Sequence, residues 1–277
     1  MVKIVTDSTS DIPAPIAEAL GITIVPVYVI FGGNAYRDRV DISEDELYQR
    51  MVDGPVHPTT STPSPGDFAD VFNRLAEESN EIVFIALTSK KSALYEAALL
   101  GKEAVKKKCR IEVIDSLSIS MGLGFLTIVA AKTAQAGGNI EEIVRAVHQA
   151  IPKTHLLGAL DTPKYVLKGG RLGRAALSLG AMLRVKPMLT IREGDIIPAG
   201  LARTHNNAVE RLYEFVKKHL PIEDLAIMHS TTPKEAQSLA ERVKSLIPKK
   251  QPLIARLGPA LGVHAGPGAL AVALRKV

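Results

Sequence analysis

The sequence predicts an α/β protein of two domains. The first is an N-terminal three-layer domain with a parallel, Rossmann-like sheet over residues 1–152. The second is a C-terminal two-layer α/β domain with a mixed sheet over 153–277. Three observations predict this. Short apolar runs alternate with amphipathic helical segments through the first half, the pattern of a parallel sheet covered on both faces. After Ile151-Pro152-Lys153 the rhythm changes: helices become fewer, and a glycine-bearing turn joins two strand-like runs as a hairpin. Finally, 46% of the 277 residues are apolar. A substantial core can be buried, which excludes global disorder.

Val2–Thr6 reads as the first strand, ending in Asp7-Ser8-Thr9-Ser10-Asp11, a turn made of helix-capping residue types. Ile12–Leu20 is expected as a helix with Pro13 in its first turn, where a missing N–H is tolerated. Ile24–Phe31 reads as one strand. Ser43–Met51 is a helix opened by Ser43-Glu44-Asp45-Glu46, which has the form of a capping box. Pro65–Ser79 is a helix, Ile82–Leu87 a strand, Ala93–Lys107 a helix and Ile111–Ile114 a strand. Two helices follow, Ser120–Ala136 and Ile140–Ala150, separated by Gly137-Gly138.

In the second half, Thr154–Leu160 is a strand and Thr162–Leu167 a short helix. Lys168-Gly169-Gly170-Arg171-Leu172-Gly173-Arg174 is a basic, glycine-rich bend, and Ala175–Leu183 a helix. Pro187–Arg192 and Ile196–Arg203 form the hairpin. Helix Asn206–His219, strand Leu225–His229, helix Pro233–Leu246 and strands near Leu253–Leu257 and Ala269–Leu274 complete the chain.

Composition narrows the function. Aromatic residues make up 4% and tryptophan is absent, so any cavity is lined mainly by Leu, Ile, Val and Ala. That suits an alkyl ligand, and it equally describes an ordinary aliphatic core. The net charge of +5 arises from scattered residues; the one dense run, Lys106–Arg110, reads as a helix end, where cations favour the macrodipole. No nucleic-acid motif accompanies the charge, so no nucleic-acid partner is expected. The basicity also suits docking to an acidic protein. The single cysteine, Cys109, excludes an intrachain disulfide framework and a zinc–cysteine cluster. With no signal-peptide pattern and no uncharged apolar run of spanning length, a soluble, cytoplasmic protein without stable membrane insertion is expected.

The chain has no P-loop and no nucleophile elbow. Gly122-Leu123-Gly124 lacks the third glycine of a dinucleotide fingerprint, and the histidines show no metal-ligand spacing with carboxylates. Asp7, Asp11, Asp38 and Asp41 form either an acidic cluster or a set of caps and turns. No metal, cofactor or catalytic residue is therefore expected.

Four loop regions carry donors. Thr59–Pro65 leads into a helix start, which binds anions or simply caps itself. Thr88–Ser92 follows a strand, at the edge where open α/β sheets place ligands. Arg203 ends the hairpin as an exposed charge or an inward donor, and Arg171 sits among glycines where phosphate or a protein could meet it. Near the C-terminus, His264 stands in Leu261–Leu270 among three glycines and a proline. Such a run can hold an imidazole rigidly at a strand end, or be a plain turn before the last strand.

Taken together, these pieces resemble the DegV family of fatty-acid-binding proteins, which includes the binding subunit of bacterial fatty acid kinase. The similar segments are Val5–Thr9, Thr60-Ser61 with Pro63-Ser64, Leu87–Ser89 with Ser92–Tyr95, Leu167–Arg171 and His264–Gly268. Two departures stand out: Ala93-Leu94 replace the family's usual glycine-threonine, and Thr62 replaces its common glutamine. The resemblance implies one long-chain fatty acid, such as palmitate, held between the domains. It implies a carboxylate site of Thr60, Ser61, Ser92, Arg203 and His264, with Arg171 facing the partner. It further implies that a separate ATP-dependent kinase subunit converts the acid to an acyl phosphate, passed to an acyltransferase for phospholipid synthesis. The tail is expected among Ile119–Val129 and Leu177–Leu189. The alternatives are a lipid carrier or sensor without a kinase, and a stand-alone enzyme on a small phosphorylated substrate.

Overall fold

The computed structural model describes residues 1–54, 56–172, 185–248 and 250–277. The helix expected over Ala175–Leu183 lies outside them. The first half builds a parallel sheet from β1 (Lys3–Asp7), β2 (Ile22–Val25), β6 (Glu81–Ala86) and β7 (Arg110–Asp115), in the order β2-β1-β6-β7. Helices α1 (Ala14–Leu20), α3 (Pro65–Ala76), α4 (Leu94–Glu103), α5 (Ser120–Gln135) and α6 (Ile140–Ala150) belong to this half. Helix α5 is apolar nearly all round, with Leu123, Phe125 and Leu126 fully buried. That is how a helix reads when it is covered on every side. It contacts β1 and β6 of the parallel sheet and also β8 (Thr154–Ala159) and β13 (Leu270–Lys276) of the second sheet.

The run expected as one strand over Ile24–Phe31 is divided. Pro26 lacks an N–H and interrupts the ladder. The chain leaves the parallel sheet at Val25 and re-enters structure as β3 (Tyr28–Phe31). This strand is flanked by β4 (Asn34–Arg37) and β5 (Thr59–Ser61) in a small antiparallel sheet. The basic run expected as a helix end is also different: α4 stops at Glu103 and Arg110 already belongs to β7. Helix α2 (Glu44–Asp53) is capped by the Ser43 hydroxyl, which accepts from the Glu46 N–H at 3.2 Å.

The second half builds a mixed sheet of order β10-β9-β8-β13-β11-β12. Its strands are β8 (Thr154–Ala159), β9 (Lys186–Arg192), β10 (Asp195–Ala202), β11 (Ile222–His229), β12 (Leu253–Arg256) and β13 (Leu270–Lys276). Between β9 and β10, Glu193 and Gly194 both take positive φ, 51° and 83°, the turn geometry that matches strand twist. Side chains alternate across this sheet as the strand period demands. Leu157, Met188, Ile227 and Val272 pack toward α8 (His205–Lys218) and α9 (Pro233–Lys244). Leu156, Leu189, Met228 and Ala271 point the other way, into a core shared with α5 and the parallel sheet.

A segment of the second half is pinned to the first. The Asp11 carboxylate, buried and at φ 52°, accepts from the Gly258 N–H at 2.8 Å, the Ser120 hydroxyl at 2.6 Å and Arg39 at 3.3 Å. Arg39 also donates to the Arg256 carbonyl at 2.6 Å, and the Tyr48 hydroxyl to that of Leu257 at 3.2 Å. Gly258 caps α10 (Pro259–Ala265), which packs on α2, β3 and α7 (Lys164–Lys168). Asp38 lies beside this cluster. One carboxylate oxygen accepts from the Ser8 hydroxyl at 2.7 Å, and the other is buried without a partner among the described residues.

Burial pushes Asp38 up to about 7, against the pull of Ser8 and Arg39. A carboxyl raised in this way holds its proton more tightly in the folded chain than in the unfolded one. Its contribution to stability is therefore complete below about pH 4 and is lost as pH rises through about 7. Asp38→Asn is expected to flatten the decline in stability across that window. Urea denaturation of both chains at intervals between these limits measures it; equal slopes would refute the assignment.

Candidate functional site

A cavity runs between the inner face of the mixed sheet and the carboxyl-end loops of the parallel sheet. Leu156, Gly158, Leu189, Ile191, Ile196, Met228 and Ala271 line it from one side, and Thr9, Val27, Leu87, Ile119 and Ser120 from the other. The space open to water centres is about 150 Å³, roughly ten times what one water needs. Its lining is overwhelmingly aliphatic. Besides Thr9 and Ser120, its polar lining comprises Thr60, Ser61 and Thr62 from β5 and its end, Lys91 and Ser92 from the loop after β6, Arg171 from the loop after α7, and His264 from α10; of these, Thr60, His264 and Arg171 lie together.

The structure thus brings five of the six residues singled out in the sequence to one cavity. Thr60 sits at the middle of β5, paired with Val29, and is half-buried; Ser61 is exposed at the strand end. The Thr60 hydroxyl lies 3.1 Å from Nε2 of His264. His264 is in the last turn of α10, not in a turn between strands. The glycines that suggest a turn come into play two residues later, at Gly266, whose φ of 74° ends the helix. A side chain at Gly266 would overlap the Tyr165 ring.

Gly169 has a comparable role. Its Cα lies against the His264 ring, and a Cβ there would overlap Nδ1. That nitrogen is buried with no partner among the described residues. Burial lowers His264 to about 4, with Arg171 and His57 adding to the effect, so the ring is neutral at pH 7. Arg171 is half-buried beside it and donates to the Gly169 carbonyl at 2.8 Å.

Arg203 is not brought to the cavity. Strand β10 ends at Ala202, and the chain turns at once into Thr204, whose hydroxyl caps α8 by accepting from the Asn207 N–H. Arg203 is left exposed at that corner. Of the segments expected around an alkyl tail, Ile119 and Leu189 line the cavity, whereas Leu123 and Phe125 are buried elsewhere and residues 177–184 lie outside the described residues.

Sequence reasoning passed over Lys91 as a site residue. It lines the cavity, and its ammonium pairs with Asp195 at the base of the hairpin turn at 2.8 Å. Nearby, the Thr88 hydroxyl donates to the Gly194 carbonyl at 3.0 Å. The signal was present in the Thr88–Ser92 run, but a lysine next to a second lysine reads as solvated. Among the described residues, no group of three His, Cys, Asp or Glu side chains is placed to hold a metal, and no helix is long and apolar enough to cross a membrane.

What the arrangement can do follows from its parts. The aliphatic walls stabilise a buried hydrocarbon. The hydroxyls, the imidazole and Arg171 satisfy an anionic or polar group that would otherwise be costly to bury. A long amphiphile with one polar end fits both demands.

The model for uncharacterised proteins of the DegV family matches residues 1–277. A DegV domain-containing protein of Streptomyces coelicolor is 36% identical over 277 residues, covering 98% of this chain and 97% of its own. Among solved structures, a fatty-acid-binding DegV family protein from Thermus thermophilus superposes with a TM-score of 0.91 at 28% identity. The match covers 100% of this chain and 99% of that one. A stearic acid-binding protein from Eubacterium ventriosum gives a TM-score of 0.91 at 29% identity, covering 99% and 98%.

Gly169→Ala is expected to displace the His264 ring while leaving the fold intact. In the native chain the imidazole should stay neutral from pH 5 to 8, consistent with its value of about 4. In the variant the ring regains solvent and its titration moves up toward the ordinary histidine range. Imidazole resonances followed by NMR against pH test this, and an unmoved titration would contradict it.

Proposed function

The chain belongs to the DegV family, and from that premise we propose that it binds one long-chain fatty acid between the halves that carry its two sheets. The observation that carries this reading is the division of the cavity. Its walls are mainly aliphatic, and Thr60, His264 and Arg171 form one polar cluster on its lining, with Ser61 next to Thr60 in the chain and Ser92 on the same cavity. The tail takes the aliphatic part, each buried methylene contributing about 0.8 kcal/mol. The carboxylate takes the polar part, with hydroxyls donating to it. Arg171, half-buried near His264, adds positive charge at the same place. We assign no head-group role to Arg203.

The protein itself carries no catalytic group in this reading. It presents the carboxylate to a separate ATP-dependent kinase subunit, which forms the acyl phosphate for an acyltransferase. The hydroxyl cluster and His264 suit that task, because they remain able to hold the added charge of the product. Residues 1–152 and 153–277 act as the two domains that close over the lipid.

His264 should respond to its ligand. A neutral imidazole with a value of about 4 gains an anionic neighbour on binding, which favours the protonated form. Binding therefore takes up a fraction of a proton near neutral pH, and affinity rises as pH falls from 8 toward 6. Calorimetry in two buffers of different ionisation enthalpy reads the proton count. A count of zero, with tight binding, would show that the ring stays neutral in the complex and would refute the expected pH dependence.

Mass spectrometry of an organic extract of the purified protein is the primary test. A stoichiometric long-chain fatty acid is expected, and a protein that is empty and refuses added fatty acid would overturn the reading. With a kinase subunit and ATP, His264→Ala is expected to lower acyl phosphate formation by at least tenfold with little change in melting temperature. Undiminished phosphorylation would exclude that role.

A further inference from the structure

The mixed sheet contains a glycine for which the fold gives no reason. Gly158 lies inside β8, a central strand, and is paired on both sides without a bulge, to Ala271 of β13 and Leu189 of β9. It does not adopt positive φ. A Cβ built on it would meet the Ala271 Cβ at 3.6 Å and the Leu189 carbonyl at 3.9 Å, ordinary van der Waals contacts. Among the described residues nothing else comes within 4 Å. By contrast, Gly101, Gly124 and Gly262 face protein atoms at 2.6 to 2.8 Å, so packing alone demands glycine there.

Glycine in a strand interior is unfavourable, and its usual reasons are a bulge, a bend, or the close approach of a ligand or another backbone. The first two are excluded by the continuous register. Beyond the two strands paired with β8, no backbone of the described residues is near. What remains is the cavity, which Gly158 lines together with Ala271. Across the sheet this rung reads Leu189, Gly158, Ala271, Met228: two large side chains flanking one methyl and one hydrogen. The inner face is therefore grooved along its two central strands, and Leu156, next on the same face of β8, stands at one end of the groove.

We propose that Gly158, with Ala271, is a specificity-determining position for the hydrocarbon tail: its missing side chain keeps open the groove in which a long acyl chain lies. This rests on the fatty-acid reading and deepens it. A methyl group at 158 removes room for about one methylene of ligand, and the isopropyl group of valine for two or more.

The test is a retention series. Native protein, Gly158→Ala and Gly158→Val are each loaded from an equimolar mixture of laurate, myristate, palmitate and stearate, and the bound acids are measured by mass spectrometry alongside melting temperature. Gly158→Ala is expected to melt at or above the native temperature, because alanine restricts the unfolded chain. It should also bind stearate about fourfold more weakly, the equivalent of one methylene. Gly158→Val should lose stearate by tenfold or more and shift the bound population toward laurate. A folded Gly158→Ala that retains the native distribution and affinity overturns the proposal, whether or not the valine variant folds. If native protein takes up none of the four acids, the fatty-acid reading itself fails and the proposal with it.

Discussion

The buried Asp11 carboxylate is the constraint from which the rest of the site follows. It sits at the carboxyl end of β1, in a turn that its own positive φ helps to form, and it accepts from the backbone N–H of Gly258, 247 residues later in the chain. Ser120 and Arg39 complete its shell. Burying a carboxylate is costly unless its lone pairs are satisfied. The cost makes the geometry specific: a shift of the Gly258 segment leaves a charge without partners. The segment so fixed is the start of α10, and α10 carries His264 to within 3.1 Å of the Thr60 hydroxyl. The polar end of the cavity, built from residues 204 positions apart, is thus set by an ionic network whose charged members, Asp11 and Arg39, lie outside the cavity lining.

Electrostatics divide the molecule into two zones. Around Arg39, desolvation raises Asp11 to about 6 and Asp38 to about 7, so protonation there is poised near neutrality. Around His264, desolvation acts in the opposite sense and keeps the ring uncharged, because burial always penalises the charged form. The second zone has nearby positive charge in Arg171 and no carboxylate partner for the imidazole among the described residues. An arriving anion meets donors that are oriented but not already neutralised. In an aliphatic cavity this arrangement favours a ligand whose charge is confined to one end.

Much of the fold was legible because it rests on period and punctuation. The capping residue Ser43, the helix start at Pro65, the largely apolar α5 and the hairpin around Gly194 are local signals, and each lies where the pattern places it. The small antiparallel sheet was not legible. Its strands are three or four residues long, partly polar, and held by pairing with distant segments rather than by a hydrophobic run. Pro26 was the available sign that Ile24–Phe31 is two strands. For the site, residue type and loop position were enough to single out Thr60, Ser92 and His264. Orientation is not encoded locally: the run that folds as α10 reads equally as a turn, Arg203 reads as either an exposed charge or an inward donor, and Lys91, next to a second lysine, reads as solvated. Gly169 shows why: its role is to lie against a ring 95 positions away, and no spacing rule encodes such a contact.

The glycines make a general point about reading function from packing. Gly266 and Gly169 are required by the protein's own atoms, since a side chain at either would overlap a neighbouring ring. They belong to the machinery that aims His264. At Gly158 no atom of the described residues comes close enough to demand glycine. It weakens a central strand, and the cavity beside it is the one neighbour that gains. A residue that the fold alone would improve by replacing is evidence of something the fold must accommodate. Here that something lies along an aliphatic groove and ends among hydroxyls and an uncharged imidazole. The shape of the empty space and the chemistry at its rim specify the same class of molecule, and they do so through different residues.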